Sequence, residues 1–130
     1  MSKQYTFEKE LLKNLVTVYM NTGCNFEEFP DEFKKPIKLF FYDTIPMVQL
    51  GDGFNFIEAV FTKEAVNSFR KNFSHLRLGN LRDRLLKLTK WSFHFKQRNS
   101  DVCANSFENL AVYLVVQDFV PLPHYSASTR

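Results

Sequence analysis

The chain has 130 residues, 45% hydrophobic and 16% aromatic, with 15 Phe against 4 Gly and 5 Pro and a net charge of +3. That is one domain's length with ample material for a core, which excludes a disordered or collagen-like chain. No apolar run predicts a membrane span, the N-terminal MSKQYTFEKELLKN lacks the apolar stretch of a secretory signal, and Cys24 and Cys103 are isolated thiols without zinc or disulfide spacing, as expected in a reducing compartment.

In chain order, an N-terminal helical segment is expected over residues 1–22. From Thr6 to about Thr22 the apolar residues Phe7, Leu11, Leu12, Leu15, Val18 and Tyr19 form one stripe, with Thr6 as N-cap and Gly23 as the stop. CNFEEFPDEFKKP reads as a loop pinned to the core by Phe26, Phe29 and Phe33. Strands follow at Ile37–Thr44 and, after Pro46, at Met47–Leu50. Gly51-Asp52-Gly53 reads as a hairpin turn, with Phe54–Phe61 returning. In that strand Ile57, Ala59 and Phe61 share one face, and Phe54, Phe56, Glu58 and Val60 the other. Thr62 caps a helix over about Lys63–Leu76, whose apolar positions are Ala65, Val66, Phe69, Phe73 and Leu76.

Gly79-Asn80 ends that helix. DRLLKLTKWSFHFKQ is a long strand with Trp91, Phe93 and Phe95 on one face and Lys90, Ser92, His94 and Lys96 on the other. NLAVYLVVQDFVPL is a nearly continuous apolar strand, expected to be covered on both faces and ended by Pro121 and Pro123. The order helix, three strands, helix, two strands is that of a five-stranded OB-fold β-barrel: mostly β, with one N-terminal helix and one helix between strands 3 and 4. The expected organisation is a single domain over residues 1–123, its barrel over 37–120, followed by a flexible tail over 124–130.

No catalytic motif is present: no GxSxG, GxxxxGK[ST], HExxH or GxGxxG. His75, His94 and His124 lack metal spacing, and Glu27-Glu28 and Asp31-Glu32 sit in a loop. The expectation is a non-enzymatic chain without metal or cofactor. Charge is unevenly spread, with −3 over residues 1–64 and +6 over 65–130, concentrated between Arg70 and Arg98. Such a face suits nucleic acid, an acidic protein, or solvent alone. OB folds hold single strands on aromatic platforms. Candidate rings here are Phe40, Phe41, Tyr42, Phe54, Phe56, Trp91 and Phe93, the same rings that a Phe-rich core would consume.

The run GDGFNFIEAVFTKEAVNSFRKNFSHLRLGNLRDRLLKLTKWSFHF followed by ENLAVYLVVQDFVPLP, about residues 50–123, resembles the telomerase-recruiting OB-fold family. That family includes the OB domain of the telomerase-binding shelterin subunit and the small budding-yeast accessory subunit of the Ever Shorter Telomeres set (the third protein), whose size and leading helix this chain shares. The points of likeness are Asp52 before the third strand, the strand-to-helix junction FTKEAV, the helix of Phe69, the RLLKL strand and the closing VPLP. The resemblance implies a non-catalytic telomerase accessory subunit of the nucleus and the chromosome telomere. It would contact the telomerase reverse transcriptase and other telomerase accessory proteins, with telomeric single-stranded DNA or telomerase RNA as weaker partners. By the same resemblance the contact positions are Arg70, Lys71, Arg77, Asn80, Arg82, Arg84 and Lys87, with Asp52 as a further candidate. This chain is basic where the shelterin member is acidic, and it lacks that family's Trp in the first helix.

Overall fold

The computed structural model describes residues 3–7, 9–43, 48–97 and 110–127. The expected strand start at Met47, the Pro46 breaker, Arg98, the polar loop with Cys103 and the strand start at Asn109 lie outside the described residues. Among them the order is β1 (Lys3–Tyr5), α1 (Leu11–Asn21), β2 (Ile37–Asp43), β3 (Gln49–Gly51), β4 (Phe56–Phe61), α2 (Lys63–Asn72), β5 (Arg84–Gln97) and β6 (Leu110–Ala127). Short 3-10 turns stand at Phe26–Glu28, Asp31–Phe33 and Leu78–Leu81.

The meander β2-β3-β4 pairs antiparallel throughout. β4 then pairs parallel with β6, β6 antiparallel with β5, and β5 antiparallel with β2. Five strands therefore pair in a circuit, and β1 adds to it in parallel along the far end of β6, Lys3 opposite Tyr125. Leu39, Phe41, Leu50, Ile57, Leu114 and Val116 are buried in one cluster, which α1 closes with Leu12, Leu15 and Tyr19 and α2 with Ala65 and Phe69. The rings of Phe26, Phe29, Trp91 and Phe93 interlock beside Tyr19 at centroid separations of 5.0 to 6.4 Å, mostly edge to face, the geometry that ring quadrupoles favour.

β5 reaches this core by changing phase. Leu86 and Leu88 are buried, and then Trp91 and Phe93. One residue too many separates the two pairs for simple alternation. The register to β6 shifts between Leu88 and Lys90 and again between Lys90 and Trp91, so a bulge takes up the extra residue and keeps the apolar row inside. Phe95 continues the row in sequence but is 47% exposed, because the core ends before it.

Several expectations are corrected. α1 begins at Leu11 rather than Thr6, and its N-cap position is Glu10, which makes no side-chain capping bond. Phe7 lies in the stretch between β1 and α1 and packs edge-on against Phe40 at 5.5 Å. α2 ends at Asn72, where Phe73 leaves the helical conformation. The 24–36 segment contains two 3-10 turns, in which Phe29 is buried but Phe33 is 37% exposed. β6 is not covered on both faces: Leu114, Val116 and Phe119 are buried, whereas Tyr113 and Val115 are half-buried and Val120 exposed. β6 also runs past both prolines to Ala127, so residues 124–127 are strand rather than tail. Pairing to β4 ends at Val116 and pairing to β1 starts at Tyr125. The prolines thus sit where β6 has an open edge among the described residues, and there a missing N–H costs no ladder bond.

After α1 the chain turns through Cys24, whose φ of 61° is unusual for a side-chain-bearing residue. The buried Tyr19 hydroxyl donates to the Cys24 carbonyl at 3.0 Å and holds this turn. Burial, with smaller contributions from Cys24 and Tyr113, pushes the Tyr19 phenol up to about 12. Burial likewise raises the Cys24 thiol, so it is a poor nucleophile near neutrality.

Two outcomes are expected. Phe69 is buried and stacks on Phe119 at 5.4 Å and on Phe73 at 5.9 Å, so Phe69→Ala costs about 3–5 kcal/mol in urea melts, and a loss near zero would detach α2 from the core. An unfolded phenol ionises near its ordinary value of 10.0. The stability held by Tyr19 is therefore complete below that pH and is lost as pH rises through about 12. Melts across that range should decline more steeply for the wild type than for Tyr19→Phe, and equal slopes would place this phenol in water.

Candidate functional site

At the end of β4 the parallel ladder to β6 stops at Phe61 opposite Val116. The next N–H, that of Thr62, still donates to the Val116 carbonyl at 3.0 Å. Thr62 itself has extended backbone angles, and its hydroxyl accepts from Ala65 N–H at 3.1 Å. A β-branched residue that prefers extended backbone and carries a capping oxygen suits both roles. The strand thus converts to helix α2 within one residue. Phe69 and Ala65 bind the inner side of α2, so Arg70 and Lys71 project from its last turn into solvent.

Arg70 and Arg77 are brought together. Both line an open groove of about 460 Å3 whose floor is Val66, Phe69, Leu76 and Leu78. Asn80 acts within the backbone: its Oδ1 accepts from Arg77 N–H at 3.0 Å, which shapes the Leu78–Leu81 turn. Leu81 is fully buried, and Asp83, at a φ of 63°, donates its N–H to the Phe41 carbonyl at 2.6 Å. These two anchors fix the segment that carries Arg82, which is exposed, and Arg84, which is half-buried at the start of β5. Lys87 is exposed further along β5, opposite Lys38 of β2. Among the described residues none of Arg70, Lys71, Arg77, Arg82, Arg84 and Lys87 has a carboxylate within ion-pairing distance. The guanidinium groups are therefore available to a planar acidic partner.

Asp52 is elsewhere and is buried completely. Its Oδ1 accepts from Phe54 N–H at 2.9 Å and Asn55 N–H at 2.8 Å, closing the β3–β4 turn. Its Oδ2 accepts from Leu12 N–H at 2.8 Å, in the first turn of α1. Helix N-termini expose unsatisfied N–H groups and a partial positive charge. Here a carboxylate forty residues away supplies the cap that Glu10 does not. Asp52 is accordingly a structural centre with no oxygen presented at the surface. Gly53 takes a φ of 87° in the same turn, a conformation that side chains resist.

The aromatic candidates separate cleanly. Phe40, Phe41, Trp91 and Phe93 are buried, and the Trp91 indole N–H donates to the Lys35 carbonyl at 2.8 Å. Phe54 is 50% and Phe56 61% exposed, on the outer face of the β3–β4 hairpin with Val60. Tyr42 meets Phe56 edge-on at 4.4 Å. The Tyr42 ring lies where a Cβ on Gly51 would stand, and such a Cβ would also come within 2.8 Å of the Asn55 carbonyl. Beside this face Lys96 pairs with Glu58 at 2.7 Å and caps the Tyr113 ring, on which His94 stacks. Among the described residues no group of His, Cys, Asp and Glu could hold a metal ion.

Sequence reasoning missed two features. One is the reach of Asp52 to α1, a contact across forty positions with no local pattern. The other is Asn55, whose Nδ2 is buried without a hydrogen-bond partner beside the exposed Phe56. An amide among alternating apolar residues was the available signal.

Residues 21–129 match the family described as telomere-binding protein beta subunit (TEBP beta). The chain is 32% identical over 121 residues to the telomere-binding protein subunit beta of Stylonychia mytilus, covering 93% of this chain and 31% of that protein. It is 31% identical over 114 residues to the subunit of the same name from Sterkiella nova, covering 88% and 30%. It thus spans about a third of the length of these relatives. Among solved structures, the Est3 telomerase subunit of the yeast Hansenula polymorpha superposes with a TM-score of 0.57 at 13% identity, covering 92% of this chain and 71% of that one, a likeness of fold.

Asp52→Ala strands one helix donor and two turn donors at once. A loss of roughly 3–5 kcal/mol is expected in denaturant melts. Asp52→Asn should lose less, because one oxygen remains and can serve the turn or the helix but not both. A melt indistinguishable from wild type for Asp52→Ala would show the two elements to be held by packing alone.

Proposed function

Because the chain belongs to the telomere-binding protein beta subunit family, we propose that it is a non-catalytic, telomere-associated telomerase subunit. In this proposal the exposed side of α2 and the segment over residues 77–87 dock the telomerase reverse transcriptase in the nucleus, at the chromosome telomere. The five-strand circuit is read as an OB barrel, and the fold likeness to a yeast telomerase subunit supports that reading. The observation that carries the docking surface is the pairing of Arg70 and Arg77 over one apolar-floored groove, neither with a carboxylate partner among the described residues. Guanidinium groups on an apolar floor match a protein surface that offers carboxylates beside apolar side chains. Lys71, Arg82, Arg84 and Lys87 extend the positive charge along the chain on either side, and Asn80 holds the turn that presents Arg77.

A second reading has its own observation. Phe54 and Phe56 are exposed together on the β3–β4 hairpin, and exposed rings on an OB surface suit the stacking of single-stranded DNA or RNA bases. Stacking is sequence-tolerant, whereas a phosphate-binding arm would add steep salt dependence.

One set of variants separates the two. Arg70→Glu with Arg77→Glu should abolish co-purification with the telomerase reverse transcriptase and leave the melting curve within about 0.5 kcal/mol per site. Phe54→Ala with Phe56→Ala should leave that association intact. If instead the phenylalanine pair is what removes binding to telomeric single strands, and the arginine pair changes neither partner, the hairpin is the functional surface and the α2 groove is a solvated face.

A further inference from the structure

The groove at the end of α2 holds a hydroxyl that the docking of a partner leaves unused. Ser74 lines it with Arg70 and Arg77. It stands in the exposed turn that follows the helix, where the Leu76 N–H donates to the Phe73 carbonyl at 2.9 Å. Its side chain makes no hydrogen bond among the described residues. Several other hydroxyls are occupied or enclosed. Ser68, within α2, accepts from the Asn72 amide at 3.3 Å, Thr22 donates to the Tyr19 carbonyl at 2.6 Å, Thr62 caps α2, and Ser92 is buried.

Two observations point to an acceptor of phosphate rather than a solvated serine. In Arg70-Lys71-Asn72-Phe73-Ser74-His75-Leu76-Arg77, bases stand three and four residues before the hydroxyl and three after it, and protein kinases choose substrates by such charge patterns. α2 ends at Asn72 and the next 3-10 turn begins at Leu78, so the segment between them can extend into an enzyme cleft by giving up turn bonds rather than a helix or a strand. The second observation is electrostatic. Arg70 and Arg77 have no carboxylate partner among the described residues, and the guanidinium fork matches the oxygens of a phosphate. The carbonyl end of α2 opposes an anion with about half a unit of charge, against two full guanidinium charges on the same groove.

We propose that Ser74 is a phosphorylation site whose phosphate pairs with Arg70 and Arg77 and, on the reading of this groove as the docking surface, closes it to a carboxylate-bearing partner. The enzyme is a serine kinase that reads basic flanks, and the donor is a nucleoside triphosphate. The bond from Ser74 Oγ to the γ-phosphorus forms as that phosphorus parts from its bridging oxygen. The nucleoside diphosphate leaves, and the hydroxyl proton passes to the base of the kinase. The phosphate brings close to two negative charges and three acceptor oxygens. It thereby cancels the positive charge that the two arginines offer and fills the space between them with an anion that repels carboxylates.

In the test, the folded wild-type chain is incubated with ATP and a panel of serine kinases that read basic flanks, and the modified residue is mapped by mass spectrometry. Phosphate is expected on Ser74, with incorporation kept in Ser68→Ala and lost in Ser74→Ala. Independently of any kinase, a chain synthesised with phosphoserine at position 74 is titrated by phosphorus NMR. Its phosphate should ionise below the ~6 of a free phosphoserine. It should return to that value in Arg70→Gln with Arg77→Gln, and stay low in Lys87→Gln. The same phosphorylated chain should bind the telomerase reverse transcriptase about tenfold more weakly than the unmodified chain. The proposal is overturned if no kinase modifies Ser74, if the phosphate titrates alike with and without the two arginines, or if the phosphorylated chain binds as well as the unmodified one. Failure of the unmodified wild type to bind the reverse transcriptase would instead end the docking reading, and the closing role with it, while the titration still decides whether the phosphate pairs with Arg70 and Arg77.

Discussion

The carboxylate of Asp52 ties together parts of the chain that otherwise have little reason to meet. Two of its bonds are local and close the β3–β4 turn, and the third reaches the first turn of α1. Charge-assisted bonds of this kind are shorter and stronger than neutral ones, and this one is fully enclosed. The consequence is positional. α1 starts at Leu11 because the anion sits there, and its axis is fixed relative to the hairpin that carries Asn55 and Phe56. The separation between Ile57 and the row of Leu12, Val16 and Met20, which together line a groove beside α1, is therefore set by one side chain. That groove, the exposed rings of the hairpin and the closure of the core by Leu15 and Tyr19 all follow from that placement.

The surface features fall on different parts of this frame and answer to different physics. The α2 groove is electrostatic: guanidinium groups without a carboxylate partner among the described residues, over an apolar floor beside a helix anchored by Phe69 and Phe119. The hairpin face is aromatic and sterically defined, with Tyr42 admitted to the outer surface by the absence of a side chain on Gly51. The α1 groove is mainly aliphatic.

Periodic and capping signals were legible in the sequence because their causes are local. Thr62, the Ala65–Phe69 stripe and the alternation around Ile57 and Ala59 each act over a few residues. Distant causes were not legible. Thr6 resembles a cap, but the donor of Leu12 is met by Asp52, and the helix starts four residues later than its stripe suggests. Pro121 and Pro123 resemble terminators, but whether a proline ends a strand depends on which edge is free, and β1 at Lys3–Tyr5 was invisible without its partner. At the candidate site, exposure of Arg70 follows from the helical period, whereas its meeting with Arg77 over one groove depends on how the 74–81 segment folds back. The family likeness extends beyond the stretch in which it was legible: it was read from about residues 50–123, and the family matches over residues 21–129. The likeness pointed first to the telomerase-recruiting OB proteins, and the family that matches is the beta subunit of the telomere-binding protein.

The bulge beside Lys90 has an evolutionary meaning. It divides β5 into two reading frames, one in which Leu86 and Leu88 face inward and one in which Trp91 and Phe93 do. A residue gained or lost within either frame would exchange inside for outside along everything up to the next turn. The same change at the bulge only adds or removes slack that is already there. Length variation among related chains should therefore collect at this punctuation mark, and the two stretches of β5 are free to diverge as separate modules that happen to share one strand.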